Sequence, residues 1–457
     1  MQRDSIDFGT MNIPVLFRKM FFPTLLGMLL SATINVADGA FVGHGAGSDA
    51  LAAVNIVAPF FLITTGIGLM FGAGVSIVAS VHLSQKRYKA ANINVTQAFT
   101  VALLLMLLIT ALVMLFPDAF ARMLGCSDRL LPYVRDYMRW VIPSLPFGAL
   151  MCIGMFVLRL DGAPVFAAMC EAVPAVVNLV LDYVFVFPCG MGIEGASLAT
   201  GIAQLTGALM VAFYMACRTK VLHFYRPKFT PKSIRLTLRN IGYQVRLGAP
   251  SLIGELAIAC MMLVGNRMYL HYLHEDGVAA FSIACYCFPL VFMIGNAIAQ
   301  SVQPIISYNH GAGLDDRVGQ TLRLSVAVAF VCGLLTMLLT MIGREAIVGV
   351  FLSSDTAAYT IAAKGMPWFS LAFPFFSLNL VYIGYIQSLE DFRRATFYML
   401  LRGVIFVVPA FVAMPWLLGT VGLWLAVPLS ECLTLLCILP FIGKRAIGRR
   451  ACRREGN

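Results

Sequence analysis

The chain has 457 residues, 60% of them hydrophobic and 12% charged, with a mean hydropathy of +0.85. Soluble globular domains carry about 25% charged residues, so a water-soluble enzyme or binding module is excluded. The net charge of +11 raises nucleic acid as a partner. The basic residues, however, cluster at the ends of apolar runs, where topology determinants and contacts to anionic lipid belong.

Apolar runs long enough to cross a hydrocarbon core of about 30 Å recur along the chain. Most lack strict alternation, which favours helices over barrel strands. Twelve spans are predicted, at 14–41, 51–81, 93–117, 133–158, 163–188, 193–217, 246–272, 278–308, 320–345, 359–388, 395–416 and 420–443. The residues before the first span carry Arg3, Asp4 and Asp7 and lack a signal-peptide pattern, so that span is expected to be retained. Pro23 lies in the span that also carries Asp38, and is the best hinge candidate among the many intrahelical prolines. Gly66, Gly68, Gly72, Ala73 and Gly74 crowd the second span. With no preceding strand and no following GK[ST], they indicate close helix packing and not a nucleotide loop. No Walker A sequence occurs in the chain, so active transport would draw on an ion gradient or on a separate ATPase subunit. The twelve cysteines include no CxxC pair and mostly fall inside apolar runs, where they act as small packing residues. His271, His274, Glu275 and Asp276 fall between the seventh and eighth spans; a solvated loop is expected there in preference to a metal centre.

With the N-terminus placed in the cytoplasm, the loops, tails and adjoining span ends on that side hold 26 of the 33 Lys and Arg residues, and the opposite loops and span ends hold seven. The positive-inside rule then sets both termini inside. The organisation expected is an N-terminal six-helix lobe (1–217), a cytoplasmic linker (218–245), a C-terminal six-helix lobe (246–443) and a basic cytoplasmic tail (444–457). The chain also repeats itself at a shift of 227 or 228 positions. Ala52–Ala53 falls on Ala279–Ala280, Ile56 on Ile283, Gly68 on Gly295, Trp140 on Trp368, and Pro146–Phe147 on Pro374–Phe375. Two parallel repeats of six crossings are the build of a transporter whose halves move about a site between them.

Acidic groups at lipid depth are costly and are functional candidates by default; here they are Asp38, Glu171, Asp182, Glu255 and Glu431. Asn178 precedes Asp182 by four residues, so both share a helix face. By helix rise, Asp38, Asp182 and Thr200 reach similar depth in the outer half. Two carboxylates, an amide oxygen and a hydroxyl are hard ligands suited to a sodium ion, and the same carboxylates can share a proton. A polar knot pinning three helices is the structural alternative. The repeat argues against it, because Asp38, Asn178, Asp182 and Thr200 map onto Gly265, Ile405, Pro409 and Val427. In the second half Glu255, Asn266, Gln300, Gln303 and Asn379 are candidate coupling or substrate contacts. Met261, Met262, Phe288, Phe369 and Phe376 belong to a set that is either an adaptable pocket lining or ordinary core.

The run from Asp38 through His44, with the Ala50–Asn55 segment, resembles the multidrug and toxic compound extrusion (MATE) family. So do the runs Asn178–Asp182, Gly192–Thr200 and Gln303–Gly313. The resemblance covers nearly the whole chain. It implies an all-α integral membrane protein of twelve transmembrane helices in two pseudo-symmetric six-helix lobes, exchanging drugs or organic cations for H+ or Na+. It also implies that Asp38, Asn178, Asp182 and Thr200 form a cation site, and that an acidic residue in helix seven, here Glu255, takes part in some members. Glu194 departs from the neutral residue usual at its position. The resulting expectation is a bacterial inner-membrane antiporter acting as a monomer among membrane lipids, with no enzyme activity, no cofactor, no metal and no nucleic-acid partner. A lipid-linked oligosaccharide flippase of the same superfamily is the alternative; it would need a cationic cavity, for which Arg267 and Arg402 are the available residues. A membrane-embedded lipid-modifying enzyme is the third reading, and it finds no well-placed histidine.

Overall fold

The computed structural model describes residues 6–46, 48–226 and 230–455; the side chains at 34–40, 42–46, 48, 51, 286, 287, 289, 290 and 444–455 lie outside the described set. The described chain is helical nearly throughout, as lipid demands of a backbone that must satisfy its own hydrogen bonds. In order the helices are α1 (Ile13–Ala46), α2 (Ser48–Ser84), α3 (Tyr88–Leu115), α4 (Pro117–Met123), α5 (Leu131–Leu160), α6 (Pro164–Val186) and α7 (Gly192–Cys217). The second half follows with α8 (Pro231–Gly311), α9 (Asp315–Phe351), α10 (Ala357–Ser370), α11 (Ala372–Ser388), α12 (Phe392–Leu400) and α13 (Val407–Glu455).

Among the described residues nine helices are long and apolar enough to cross a membrane, and α10 with α11, bent by 42°, makes a tenth crossing. Two of the nine are too long to cross once. The 81 residues of α8 would extend about 120 Å at 1.5 Å per residue, and the chain reverses at His274, whose φ is 55°. The last helix reverses at Gly419, with φ 59°. Each contributes two crossings, which gives twelve. Helix α8 begins at Pro231, well ahead of the predicted seventh span, because Lys232, Arg235 and Arg239 extend the helix beyond its apolar part. Between α12 and α13 one wide turn intervenes at Leu401–Ile405, where the Phe406 amide reaches five residues back to the Leu401 carbonyl at 2.9 Å.

The chain divides into two compact units that do not follow chain order. The first takes in Met1–Glu255, Gln300–Thr321 and Ser388–Glu390, and the second Leu256–Ala299, Leu322–Gln387 and Asp391–Asn457. In the first unit the glycines of α2 form two rows. Gly68 and Gly72 face Cys152 and Phe156 of α5; Gly66 and Gly74 face Leu252 and the Gln244 backbone of α8. Gly248 of α8 answers from the other side, against the backbone of Met70. These close approaches exist because no side chain intervenes. The N-terminal arm joins the same unit. Asp7 accepts from the Gly9 amide and from both the amide and hydroxyl of Thr10, and the Thr10 hydroxyl is the main cause that holds its carboxyl below the usual range. Arg317 donates to the carbonyls of Phe8 and Met11 at 2.9 and 2.7 Å, and Asn309 donates to Phe8 at 3.0 Å.

The second unit is centred on rings. Tyr269 stacks on Phe281 at 4.4 Å and meets Trp424 edge-on at 5.1 Å, and Phe288 meets Phe376 at 4.6 Å. Phe288, Phe369, Phe376 and Met261 are thus closed core and not the lining of a pocket, while Met262 is exposed.

Gly248→Ala puts a methyl against main chain that cannot swing aside, and overpacking of this kind costs about 1–3 kcal/mol. The expected result is a lower thermal unfolding midpoint in detergent. Gly242→Ala, on the same helix with nothing within 4 Å of its added carbon, should leave the midpoint near that of the unaltered chain.

Candidate functional site

Three helices of the first unit set the register of the predicted cation site. Gly27 of α1 lies beside α6, where an added Cβ would stand 3.3 Å from the Ala168 Cα and 3.2 Å from Glu171 Oε2. Further along, the Phe41 ring lies 6.3 Å from Tyr183 and 5.9 Å from Phe187. Residue 27 thus pairs with 168 and 41 with 183, offsets of 141 and 142. Helices α1 and α6 run parallel, and the backbone of Asp38 stands level with residues 179–180. Helix α7 runs back along α6, with Gly207 against Pro174 and Gly195 against Phe185. Between these contacts Thr200 stands level with residues 180–181.

The positions of Asp38, Asn178, Asp182 and Thr200 therefore share one level of a three-helix cluster. Asp182 is fully buried and Asn178 is 8% exposed, and the Asn178 amide nitrogen has no hydrogen-bond partner among the described residues. The Thr200 hydroxyl donates to the Ala196 carbonyl one turn back at 3.1 Å, which leaves its oxygen able to accept or to ligate. The side chain of Asp38 lies outside the described residues. A buried carboxylate beside amide and hydroxyl oxygens can hold a hard monovalent cation or a proton. Pro23, the hinge candidate, sits half-buried inside α1.

A second polar group lies nearer the N-terminal end of the same unit. Arg159, in the last turn of α5, is 1% exposed and donates from Nη1 to Gln300 Oε1 at 2.7 Å. Its Nε and Nη2 atoms have no partner among the described residues, nor do Glu171 Oε2 and Gln303 Oε1. Glu255 is buried on α8, with its Cβ 3.8 Å from the place a side chain would occupy at Gly66. The Asp161 carboxylate accepts from the Tyr214 hydroxyl and from the amides of Lys220, Val221 and Leu222, all at 2.8–2.9 Å. Arg159 turns inward, and nothing in the sequence near it marks Gln300, 141 residues on, as its partner.

In the second unit Asn379 donates to the Glu431 carboxylate at 2.7 Å and to its carbonyl at 2.8 Å. Arg402 pairs with the same carboxylate at 2.7 Å, and both charged side chains are about 5% exposed. The Arg402 guanidinium also stacks 4.1 Å from the Phe376 ring centroid. Asn379 thereby donates into a buried ion pair, its own Oδ1 having no hydrogen-bond partner among the described residues, while Asn266 is half-buried on α8. Among the described residues no group of three or more His, Cys, Asp or Glu converges as a metal centre.

Twelve apolar crossings that bury carboxylates and leave polar atoms open at lipid depth define a multi-pass membrane transporter. The comparisons with known proteins agree. The family model described as MatE matches the chain twice, over residues 23–184 and 250–412, and the chain belongs to this family. The two matches are displaced by 227 and 228 residues, the shift of the internal repeat. Among curated proteins it is similar to the multidrug export protein MepA of Staphylococcus aureus (strain MRSA252), 24% identical over 435 residues with 93% of each chain covered. It is also similar to an FAD transporter of Shewanella oneidensis, 26% identical over 325 residues with 70% of each covered. A solved outward-facing multidrug resistance MATE family transporter superposes with a TM-score of 0.89 at 19% identity, covering 96% of this chain and 97% of the other. The fold is the twelve-helix, two-lobe fold of these transporters.

Removing one partner of the Arg402–Glu431 pair leaves a buried charge uncompensated, at a cost of about 3–5 kcal/mol. Glu431→Gln is expected to lower the unfolding midpoint and yield of the purified protein strongly, and Glu431→Gln combined with Arg402→Met to recover most of the loss. A thermal melt of the three proteins in one detergent measures both.

Proposed function

We propose that this chain is a secondary antiporter that exports drugs or organic cations in exchange for H+ or Na+. The coupling cation is held by Asp38, Asn178, Asp182 and Thr200 between α1, α6 and α7. The observation that carries this reading is the common level of the four positions around a fully buried Asp182. The copied half of the chain has Gly265, Ile405, Pro409 and Val427 at the corresponding places, so the polar set serves something other than helix architecture.

In this reading the lobes are 1–217 and 246–443, joined by the linker 218–245. Both termini and the basic tail face the cytoplasm of a bacterial cell, and the protein works as a monomer in the inner membrane. Cation binding from outside neutralises the carboxylates of Asp38 and Asp182, α1 yields near Pro23, and the lobes reorient. In that step the contact of α2 with α8 parts, where Gly74 and Gly248 lie against backbone and Gly66 against the Leu252 side chain. One elementary charge moving down 100 mV supplies about 2.3 kcal/mol, enough to drive roughly a fiftyfold substrate gradient. Glu255, Gln300 and Gln303 are candidate coupling or substrate contacts.

A second reading of the cargo has its own support. The Nε and Nη2 atoms of Arg159 form one edge of its guanidinium fork, the edge that fits a carboxylate or phosphate; both are buried and open. With the Shewanella relative an FAD transporter, an anionic flavin nucleotide is the alternative substrate.

Proteoliposomes with an imposed proton or sodium gradient test both. Uptake of a fluorescent organic cation that follows one gradient is the expected result, with Asp38→Asn and Asp182→Asn each lowering the rate at least tenfold while the melting profile stays near that of the unaltered protein. Full-rate transport by Asp38→Asn ends the cation-site assignment. Uptake of FAD in place of the cation, lost in Arg159→Gln, selects the second reading.

A further inference from the structure

We propose that the first unit carries a specific binding site for one anionic phospholipid, in a cavity at the membrane surface between the start of α1, the start of α6 and the end of α7. The cavity encloses about 1060 Å³, and its lining is two-sided. At the rim stand Arg18, Lys19, Arg218 and Lys220; the wall behind them is Phe22, Val165, Phe166 and Met169. Volumes of roughly 300–1,000 Å³ are those of ordinary small-molecule sites, so a glycerophosphate head group with the first carbons of its chains fits.

The cationic rim is built, not accidental. The Asp161 carboxylate is taken up entirely inside the protein, by the Tyr214 hydroxyl and three successive amides. Those bonds fold residues 220–222 back over the end of α7 and so bring Lys220 to the cavity edge. Among the described residues no carboxylate pairs with Arg18, Arg218 or Lys220, and all three are exposed. The Arg218 guanidinium lies 5.5 Å from the ring of Phe213, itself half-exposed. A flat cation resting on an apolar ring is at home where hydrocarbon meets water.

What selects a lipid over a soluble anion is the floor of the cavity. Phe22, Leu26 and Leu30 are exposed at every fourth residue of α1, and Val165, Met169, Val176 and Val180 are exposed along α6. These two helices run side by side, so their stripes form a continuous apolar track leading away from the cations. Free phosphate has no use for that track, while an acyl chain does. Positive charge at the surface also agrees with the side that the positive-inside rule assigns to the cytoplasm, where anionic lipids lie.

The test uses the full chain purified in a neutral detergent and titrated with dioleoylphosphatidylglycerol, dioleoylphosphatidylcholine or inorganic phosphate. Two readouts are taken: the thermal unfolding midpoint, and the alkylation rate of the native Cys217, an exposed thiol on the cavity wall. The expected result is that phosphatidylglycerol alone raises the midpoint and slows Cys217 alkylation, with no change at Cys189, an exposed thiol beyond the far end of α6. In the triple variant Arg18→Gln, Arg218→Gln, Lys220→Gln the lipid needed rises roughly a hundredfold at low salt. The charge-matched triple Lys232→Gln, Arg235→Gln, Arg239→Gln keeps the response of the unaltered protein. Equal loss in both triples assigns the effect to net charge and overturns the proposal, as does an unchanged response of the rim triple. An effect of inorganic phosphate equal to that of the lipid overturns it too. Should the rim triple fail to fold, Cys217 protection on the unaltered chain decides: equal protection by the two lipids ends the case.

Discussion

Close approach of neighbouring helices at glycine positions is the constraint on which the first unit rests. Helix α2 meets two of its neighbours through glycines, Gly68 and Gly72, four residues apart, toward α5 and Gly66 and Gly74, eight residues apart, toward α8. Gly248 returns the contact toward Met70. Apolar side chains gain little by leaving lipid for protein, so dispersion between closely packed backbones must supply the association. At each of these glycines a neighbouring side chain or carbonyl occupies the space a Cβ would fill.

Polar chemistry is distributed unevenly over this scaffold. Among the described residues the first unit holds buried atoms without a hydrogen-bond partner at two depths, at Asn178 and at Arg159. The buried charges of the second unit are spent on each other, Arg402 and Asn379 both closing on Glu431. Helix packing in the second unit is carried by rings such as Tyr269, Phe281 and Trp424.

Much of the fold was legible in the sequence, since hydrophobic length marks crossings directly and a repeat of 227 or 228 residues survives as ordered matches of small residues. The level shared by Asp38, Asp182 and Thr200 was also legible, because helix rise converts residue number into depth once orientation is known. What was hidden depends on partners remote in sequence. Arg159 reads as a loop residue until Gln300 is seen beside it, and Glu431 reads as a possible coupling group until Arg402 and Asn379 are seen to enclose it. The helical stretch from Pro231 was invisible for a different reason: hydropathy reports the lipid-facing part of a helix and is silent on a polar extension.

The wide turn at Leu401–Ile405 has a consequence for phase. A helix that takes in one extra residue rotates everything after it by about 100° relative to an uninterrupted one. The turn includes Arg402, whose guanidinium closes on Glu431, and it is followed by Phe411, which is fully buried in the ring cluster. Nine residues of unbroken helix would set Arg402 and Phe411 about 180° apart around the axis; the extra residue closes that angle to roughly 80°, so one span turns its cation and its ring toward adjoining partners and not to opposite sides.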